Sequence, residues 1–189
     1  MPLFTSSREK SLWFWAFLVF VTILSTLIIG QPLTKILRDQ NIQAVIFVIG
    51  MLLVGATILV HGIKTKPSKI EIVLLLGIIA VYFMFFFRLG APERSHLIEI
   101  SVLAIFIHKA LLERNKQGKK IPMLALIAIL LTFVLGVIDE SIQIFIPDRV
   151  YDVNDIIFNG FAGLMAIGSS VLLNWIHKRI KKNTTSSKN

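Results

Sequence analysis

The chain has 189 residues, 55% of them hydrophobic, and a formal net charge of +9. Its apolar runs reach about 20 residues, the length that crosses a bilayer as a helix, which excludes an ordinary soluble domain. The absence of cysteine excludes disulfide bonds, thiolate catalysis and thiolate zinc sites.

Basic residues outnumber acidic ones, 20 against 11. No basic patch is interleaved with aromatic residues on which bases could stack, so we expect no nucleic-acid partner. Basic residues in short loops beside apolar segments instead orient a membrane protein and contact anionic membrane lipids.

Six apolar segments follow one another along the chain, and we expect each to form a membrane-spanning helix. They occupy residues 12–30, 42–60, 70–87, 97–112, 122 to about 146, and 156–176. Pro122 is a favourable first helical residue for the fifth segment. The first segment is longer than the core of a signal peptide, and no Ala-x-Ala cleavage site follows it, so we interpret it as a retained helix.

Lys and Arg are distributed unevenly between the two sides of this arrangement. Fifteen of the twenty lie on the side of the N-terminus. The five on the other side are Lys35, Arg38, Arg88, Arg94 and Arg149. The positive-inside rule then predicts an all-α, polytopic helical membrane protein with six transmembrane helices and both termini cytoplasmic. We divide it into three N-terminal helices (residues 1–87), a second three-helix region (88–176) and a basic, polar tail (177–189) that we expect to be disordered.

Three of the four histidines, His61, His108 and His177, lie at predicted cytoplasmic helix ends beside Lys or Arg. We expect these three to be interfacial. The fourth, His96, lies at the predicted outer end of the fourth segment, on the side that also carries most of the acidic residues.

Three helix ends on the predicted outer side present polar side chains at the same depth. Glu99 lies three residues after His96, and Gln143 three residues after Glu140, so each pair shares a helix face. Further polar residues at the start of the sixth segment also share one face. The expected site comprises His96, Glu99, Glu140, Gln143, Asp152, Asp155 and Asn159, together with Arg94 and Arg149.

Structural roles explain some of these residues. Asp152 followed by Asp155 has the spacing of a helix N-cap, and Asn159, beside two glycines, suits a hydrogen bond between closely packed helices. Glu99 and Glu140 are different, because a carboxylate buried in a membrane has to be paired, protonated or coordinated. The residues leave two arrangements open, an ion-pair network embedded in the membrane or a polar pocket open to the outer surface.

Four blocks of the second half carry a family resemblance. They are residues 92–99 (PERSHLIE), 139–143 (DESIQ), 147–155 (PDRVYDVND) and 159–160 (NG). Together they resemble the VanZ-like membrane proteins over residues 88–170, whereas the first three segments show no matching motif. The family takes its name from a bacterial protein that gives low-level resistance to teicoplanin, a lipoglycopeptide. The resemblance implies a multi-pass protein of the bacterial plasma membrane with a cell-envelope role. The position after Glu99, usually aromatic in the family, is Ile100 here.

The first functional hypothesis is a binding protein. Its ligand would be a membrane lipid, a lipid-linked envelope precursor or a lipoglycopeptide, with guanidinium groups holding a phosphate or carboxylate. The ligand-binding residues would be Arg94, Gln143, Arg149, Asp152 and Asn159. Antibiotic protection would follow from masking or altering the surface target.

The second hypothesis is an intramembrane enzyme acting on a lipid headgroup or a lipid-linked sugar. Its catalytic residues would be His96, Glu99, Glu140 and Asp155, sharing acid and base roles or holding a divalent metal. Imidazole and carboxylate ligands suit several metals, so neither a metal nor a cofactor is specified. The third hypothesis is a transporter or flippase, for which six helices are few and no pair of broken helices is evident.

Overall fold

The computed structural model describes residues 4–37, 68–88, 91–146 and 151–186, and the side chains of these ranges except at 26–37, 85–96 and 181–186. All regular structure in these ranges is helical. The helices are α1 (Ser7–Leu37), α2 (Lys69–Arg88), α3 (Ala91–Lys116), α4 (Leu124–Gln143) and α5 (Val153–Ser186). The all-α prediction is confirmed. The second apolar segment, residues 42–60, lies outside the described residues, so the six-span arrangement stays a prediction.

The bounds of α4 differ from the prediction at both ends. The helix begins at Leu124 rather than Pro122, because Met123 adopts a left-handed backbone conformation, with φ 46°, that interrupts helical geometry. It ends at Gln143 and a turn follows, so it does not continue to residue 146. The polar residues at this end of the helix therefore lie within its last two turns.

The last helix, α5, continues to Ser186 and so extends into residues 177–189, for which the sequence predicts a disordered tail. Lysine and arginine are good helix formers, which allows a basic segment to extend an apolar helix. The Arg179 guanidinium also lies 4.4 Å from the centre of the Trp175 ring, one turn earlier, in a cation–π contact.

Reciprocal side-chain caps fix the starts of α1 and α2. The backbone N–H of Glu9 donates to Ser6 Oγ at 3.0 Å, and Glu9 Oε2 accepts the backbone N–H of Thr5 at 2.6 Å. At α2, the N–H of Glu71 donates to Ser68 Oγ at 3.3 Å, and Glu71 Oε2 accepts the N–H of Ser68 at 2.7 Å. Each pair satisfies backbone groups that a helix start leaves without intrahelical partners.

The same two glutamates join these helix starts to the ends of other helices. Glu9 Oε1 lies 3.7 Å from Nε of Arg114 in the last turn of α3, and Glu71 Oε1 lies 2.6 Å from Nδ1 of His177 in α5. Burial raises the pKa of the Glu9 carboxyl, but hydrogen bonds from Thr5 and the charge of Arg114 outweigh it, so this pKa lies below its ordinary value. We call this the basal end of the bundle, and the opposite end, where α4 ends and α5 begins, the distal end.

The central helix of the bundle is α3, which packs against α1, α4 and α5. Its buried side chains include Leu103, Ala104 and Ile107, and they meet Ile23 of α1 and Ile167 of α5 in one apolar core. By contrast, α2 packs mainly along α5. The described part of the molecule is therefore a bundle built around α3, with α2 on its periphery.

Large apolar side chains cover the outside of this bundle. Phe17 of α1 is 65% exposed, Val73 of α2 is 68% exposed and Ile157 of α5 is 64% exposed. Exposed large apolar side chains occur on every described helix, as expected for a surface that contacts lipid. Within the described ranges, two stretches are long and apolar enough to cross a membrane: Leu124–Gln143 and Val153–Ile180.

The two described histidines outside the candidate site differ in burial, which the sequence did not predict. The His108 side chain is only 2% exposed, and its Nδ1 lies 3.3 Å from Ser170 Oγ of α5. The interfacial prediction is wrong for His108, because α3 is central and this residue faces α5 rather than solvent. His177 is exposed beside Glu71, and His61 lies outside the described residues.

Glycines bring α4 and α5 into close contact. A Cβ atom at Gly163 would lie 3.0 Å from Cγ2 of Thr132, and one at Gly136 would lie 3.0 Å from Cβ of Asn159. Real Cβ atoms avoid such short distances, so these positions need glycine for the helices to approach this closely. Small residues at helix contacts are typical of membrane bundles, where backbone proximity supplies much of the packing energy.

The contact between Gly163 and Thr132 predicts a rescue by a second substitution. Gly163→Ala should lower the melting temperature of the detergent-solubilised protein, because overpacking costs about 1–3 kcal/mol. Adding Thr132→Ser removes Cγ2 and leaves Cβ as the nearest atom of that side chain, at 3.5 Å. The double variant should then recover stability and retain the helix-propensity gain of about 1 kcal/mol for alanine.

Thr132→Ser alone is the control for this pair. The hydroxyl that bonds the Ala128 carbonyl at 2.9 Å is kept in serine. If Gly163→Ala alone melted as high as the double variant, the close approach of α4 and α5 at this level would be refuted.

Candidate functional site

The buried face of α4 changes from small and apolar to polar along its length. Its buried residues are Ala128, Thr132, Gly136, Asp139, Glu140 and Gln143. Apart from the adjacent pair Asp139 and Glu140, they recur every three or four residues and so form one continuous stripe. The side chains of Asp139 and Glu140 have no exposed surface at all. Both lie near the C-terminal end of the helix, where the helix dipole disfavours negative charge, so their environment has to stabilise them by other means.

Two described residues donate hydrogen bonds to Glu140 at the distal end. Its Oε2 accepts from Nε2 of Gln143 at 3.0 Å, and its Oε1 accepts from the backbone N–H of Asp152 at 2.9 Å. Asp152 immediately precedes α5, where backbone N–H groups have no intrahelical partner. Glu140 therefore ties the end of α4 to the start of α5 through one buried carboxylate.

The Asp152 side chain has a separate role, as a cap for α5. Its Oδ1 accepts the backbone N–H of Asn154 at 2.8 Å and Nδ2 of the same residue at 2.9 Å. The capping interpretation of Asp152 is confirmed. Asp155 lies in the first turn of α5, half-buried, and its backbone N–H donates to the Asp152 carbonyl at 3.1 Å. The link from Asp152 to Glu140 is made by backbone, not by its carboxylate.

Asn159 occupies the same interface two turns into α5. Its side chain is 1% exposed and packs over Gly136, one turn before Glu140 on α4. Neither Oδ1 nor Nδ2 of Asn159 makes a hydrogen bond with any group in the described ranges. A buried amide in this condition is unusual, because buried polar groups nearly always find a partner.

Glu99 lies on α3 and is half-buried. Two residues later, Ser101 is buried and its Oγ lies 3.3 Å from the hydroxyl of Tyr82 on α2. Arg94 and His96 lie in the first two turns of α3, but their side chains are outside the described set, and so is all of Arg149.

The structure thus brings together Glu140, Gln143 and Asp152 by direct hydrogen bonds, with Asn159 at the same helix contact. Whether His96, Glu99, Arg94 and Arg149 join them stays a prediction. Among the residues that the structure describes, no group of three or more His, Asp or Glu side chains is arranged to hold a metal ion.

Two features of the site were not predicted. Asp139 is as fully buried as Glu140, and its spacing from Gly136 and Gln143 already places it on the polar stripe, so helix periodicity alone could have identified it. No sequence pattern of this kind indicates the contact between Tyr82 and Ser101. It joins two helices, and nothing in the spacing along the chain indicates which faces of α2 and α3 meet.

An open apolar cleft of about 500 Å³ lies between α2 and α5. Its walls include Val73, Leu74, Ile78 and Met165, and a Cβ atom added at Gly77 would meet nothing within 4 Å. Tyr82, which bonds Ser101, lines one part of it. The cleft offers an apolar surface on the periphery of the bundle.

The model of the VanZ/LLP1 family matches residues 3–174, most of the chain. The match includes the first three apolar segments and so extends well beyond residues 88–170, to which the sequence motifs had confined the resemblance. No curated protein and no solved structure shows significant similarity to the chain.

The two hydrogen bonds of Glu140 predict different outcomes for two substitutions. Glu140→Ala leaves the Asp152 N–H and the Gln143 amide without their acceptor, which should cost about 1–3 kcal/mol for the buried Gln143 amide and less for the part-buried N–H. Glu140→Gln keeps an acceptor for the Asp152 N–H, and the Gln143 amide can rotate to accept from the new amide. Melting curves of the purified protein should therefore place Glu140→Gln near the wild type and Glu140→Ala clearly below it.

The opposite order would show that the charge of Glu140, and not its hydrogen bonds, holds α4 to α5. Gln143→Ala is the control, since it removes one of the two bonds while leaving the carboxylate in place. It should fall between the other two variants.

Proposed function

The chain belongs to the VanZ/LLP1 family, and we propose that it is a multi-pass protein of the bacterial plasma membrane whose outward-facing polar site engages an amphipathic or lipid-linked molecule of the cell envelope. The observation that carries this proposal is Glu140, a carboxylate without exposed surface that accepts hydrogen bonds from Gln143 and Asp152 at the end of an apolar helix. Ionisable groups inside a membrane helix are expensive and mark functional sites by default.

The distribution of charge supports the proposed orientation. Arg114, Lys116, Lys119 and Lys120 lie at or just beyond the basal end of α3, and Lys69 begins α2 at the same end. The polar stripe of α4 lies at the other end, towards α5. Basic residues accumulate on the cytoplasmic side of bacterial membrane proteins, so a cytoplasmic basal end leaves Glu140 near the outer surface. Six spans with both termini inside complete the proposal.

The chemistry of the distal end suits a headgroup. Gln143 and Asn159 carry amides that both donate and accept hydrogen bonds. Arg94 and Arg149, which we place at this end from the sequence, would supply charge-assisted bonds to a phosphate or carboxylate. The apolar cleft between α2 and α5 would take the chain of such a ligand, and Tyr82 and Ser101 connect the cleft to the helix that carries Glu99.

An enzyme acting on a lipid headgroup is a second candidate, favoured by Glu99. This carboxylate is half-buried and makes no side-chain hydrogen bond among the described residues. A carboxylate in that setting is suited to taking or giving a proton. Conversion of a lipid by the purified protein would favour this candidate over simple binding.

The proposal predicts which variants lose protection when the gene is expressed in a teicoplanin-sensitive bacterium. Glu140→Gln should abolish protection while membrane abundance stays normal, because the shape is kept and the charge is lost. Gly77→Leu should also abolish it, because the new side chain fills the cleft without meeting another atom at its Cβ position. The measurement is the teicoplanin concentration that stops growth.

Each variant has a matched control. Glu113→Gln neutralises a carboxylate at the basal end that lies 4.0 Å from Arg8, and Gly168→Leu adds the same side chain at a glycine that is equally open but does not line the cleft. Both controls should protect like the wild type. A Glu140→Gln protein that is abundant and fully protective would contradict a functional role for this carboxylate, and a wild type that never protects would contradict the link to teicoplanin.

A further inference from the structure

Asn159 is the buried polar group of the site whose hydrogen-bonding capacity no described residue meets. Its side chain is 1% exposed, and both amide atoms lack a hydrogen bond within the described ranges. The amide has two donor hydrogens and one acceptor oxygen. Leaving them all unmet inside a packed helix pair is costly, so a partner of matching chemistry is expected at this position.

The helix pair aims this amide towards the buried carboxylates of α4. The two helices run antiparallel, since Thr132 meets Gly163, Gly136 meets Asn159, and Glu140 meets Asp152. Side chains tilt towards the N-terminus of their own helix, which for α5 is the distal direction. The amide of Asn159 therefore points from the level of Gly136 towards the next turn of α4.

That next turn carries Asp139 and Glu140, both fully buried. Carboxylates only accept hydrogen bonds, and each oxygen can accept more than one. No direct hydrogen bond joins Asn159 to either of them. A group that bridges the amide and a carboxylate has to accept from Nδ2 and donate to an oxygen of α4, and a hydroxyl does both. A phosphate would bring negative charge against two buried carboxylates instead.

We propose that Asn159 is the anchor of a hydroxyl-binding site between α4 and α5, in which an O–H group accepts a hydrogen bond from Nδ2 and donates one to a carboxylate of the next turn of α4. The hydroxyl belongs either to a trapped water molecule or to the headgroup of the bound ligand. The headgroup source rests on the proposed function, whereas the water source does not.

The test compares the full-length protein in phosphatidylcholine nanodiscs that contain either phosphatidylglycerol or phosphatidic acid with the same acyl chains. Both added lipids carry a phosphate, and only the first carries free glycerol hydroxyls. If the hydroxyl comes from a headgroup, the wild type should melt about 2–4 °C higher with phosphatidylglycerol, the shift expected for one well-made hydrogen bond in a chain of this size. Asn159→Leu should lose that difference, and Asn174→Leu, at an exposed position of the same helix, should keep it.

If the hydroxyl is that of water, the wild type should melt alike in both lipids, and Asn159→Leu should melt lower than the wild type in each. That result supports the site and assigns its occupant. Asn159→Ala, which adds no bulk, replaces the leucine variant if the latter does not accumulate.

Two results would overturn the inference. An Asn159→Leu protein that melts as high as or higher than the wild type in both lipids would show that the amide has no partner to lose. If Asn159→Leu still melted higher with phosphatidylglycerol, the protein would bind the headgroup without using Asn159. That result would contradict this inference and leave the proposed function standing.

Discussion

The connection between α4 and α5 depends on one buried carboxylate. Glu140 accepts the amide of Gln143 in its own helix and the backbone N–H of Asp152 before the next helix, and it has no exposed surface. An apolar side chain here would leave both donors without their acceptor. Close packing at Gly136 and Gly163 brings the two helices together, and this polar link ties the end of α4 to the start of α5.

Glutamate carboxylates also join helices at the basal end of the bundle. Glu9 and Glu71 each cap the start of their own helix and also meet a basic group near the end of another, Arg114 or His177. These basal contacts combine helix caps with opposite charges. The distal end differs, because the amide of Asn159 and the carboxylate of Glu99 have no hydrogen-bond partner among the described residues. Glu9 Oε1 at the basal end also makes no hydrogen bond, but the Arg114 guanidinium lies 3.7 Å from it. A buried amide with no such partner among the described residues therefore distinguishes the candidate site from the structural end.

Helix periodicity and length predicted much of this arrangement. The apolar runs identified the regions of α1, α2, α3, α4 and α5, and three-residue spacings identified Glu140 with Gln143 as one unit. The end of α4 was misplaced because the apolar residues 144–146 resemble a continuing helix, whereas the chain turns there to bring the Asp152 N–H to Glu140. The burial of His108 and the Tyr82–Ser101 contact could not be predicted, since they depend on which helix becomes central and which faces meet.

An outward-facing site requires the distal end to face the outside of the cell and the basal end to face the cytoplasm. The chain has no cysteine, so single cysteines can be introduced cleanly at exposed positions near each end, as Tyr151→Cys beside α5 and Lys119→Cys after α3. A membrane-impermeant maleimide applied to intact cells should label the Tyr151→Cys protein and should reach the Lys119→Cys protein only after permeabilisation. Labelling of Lys119→Cys but not Tyr151→Cys in intact cells would place Glu140 on the cytoplasmic side and contradict an outward-facing site.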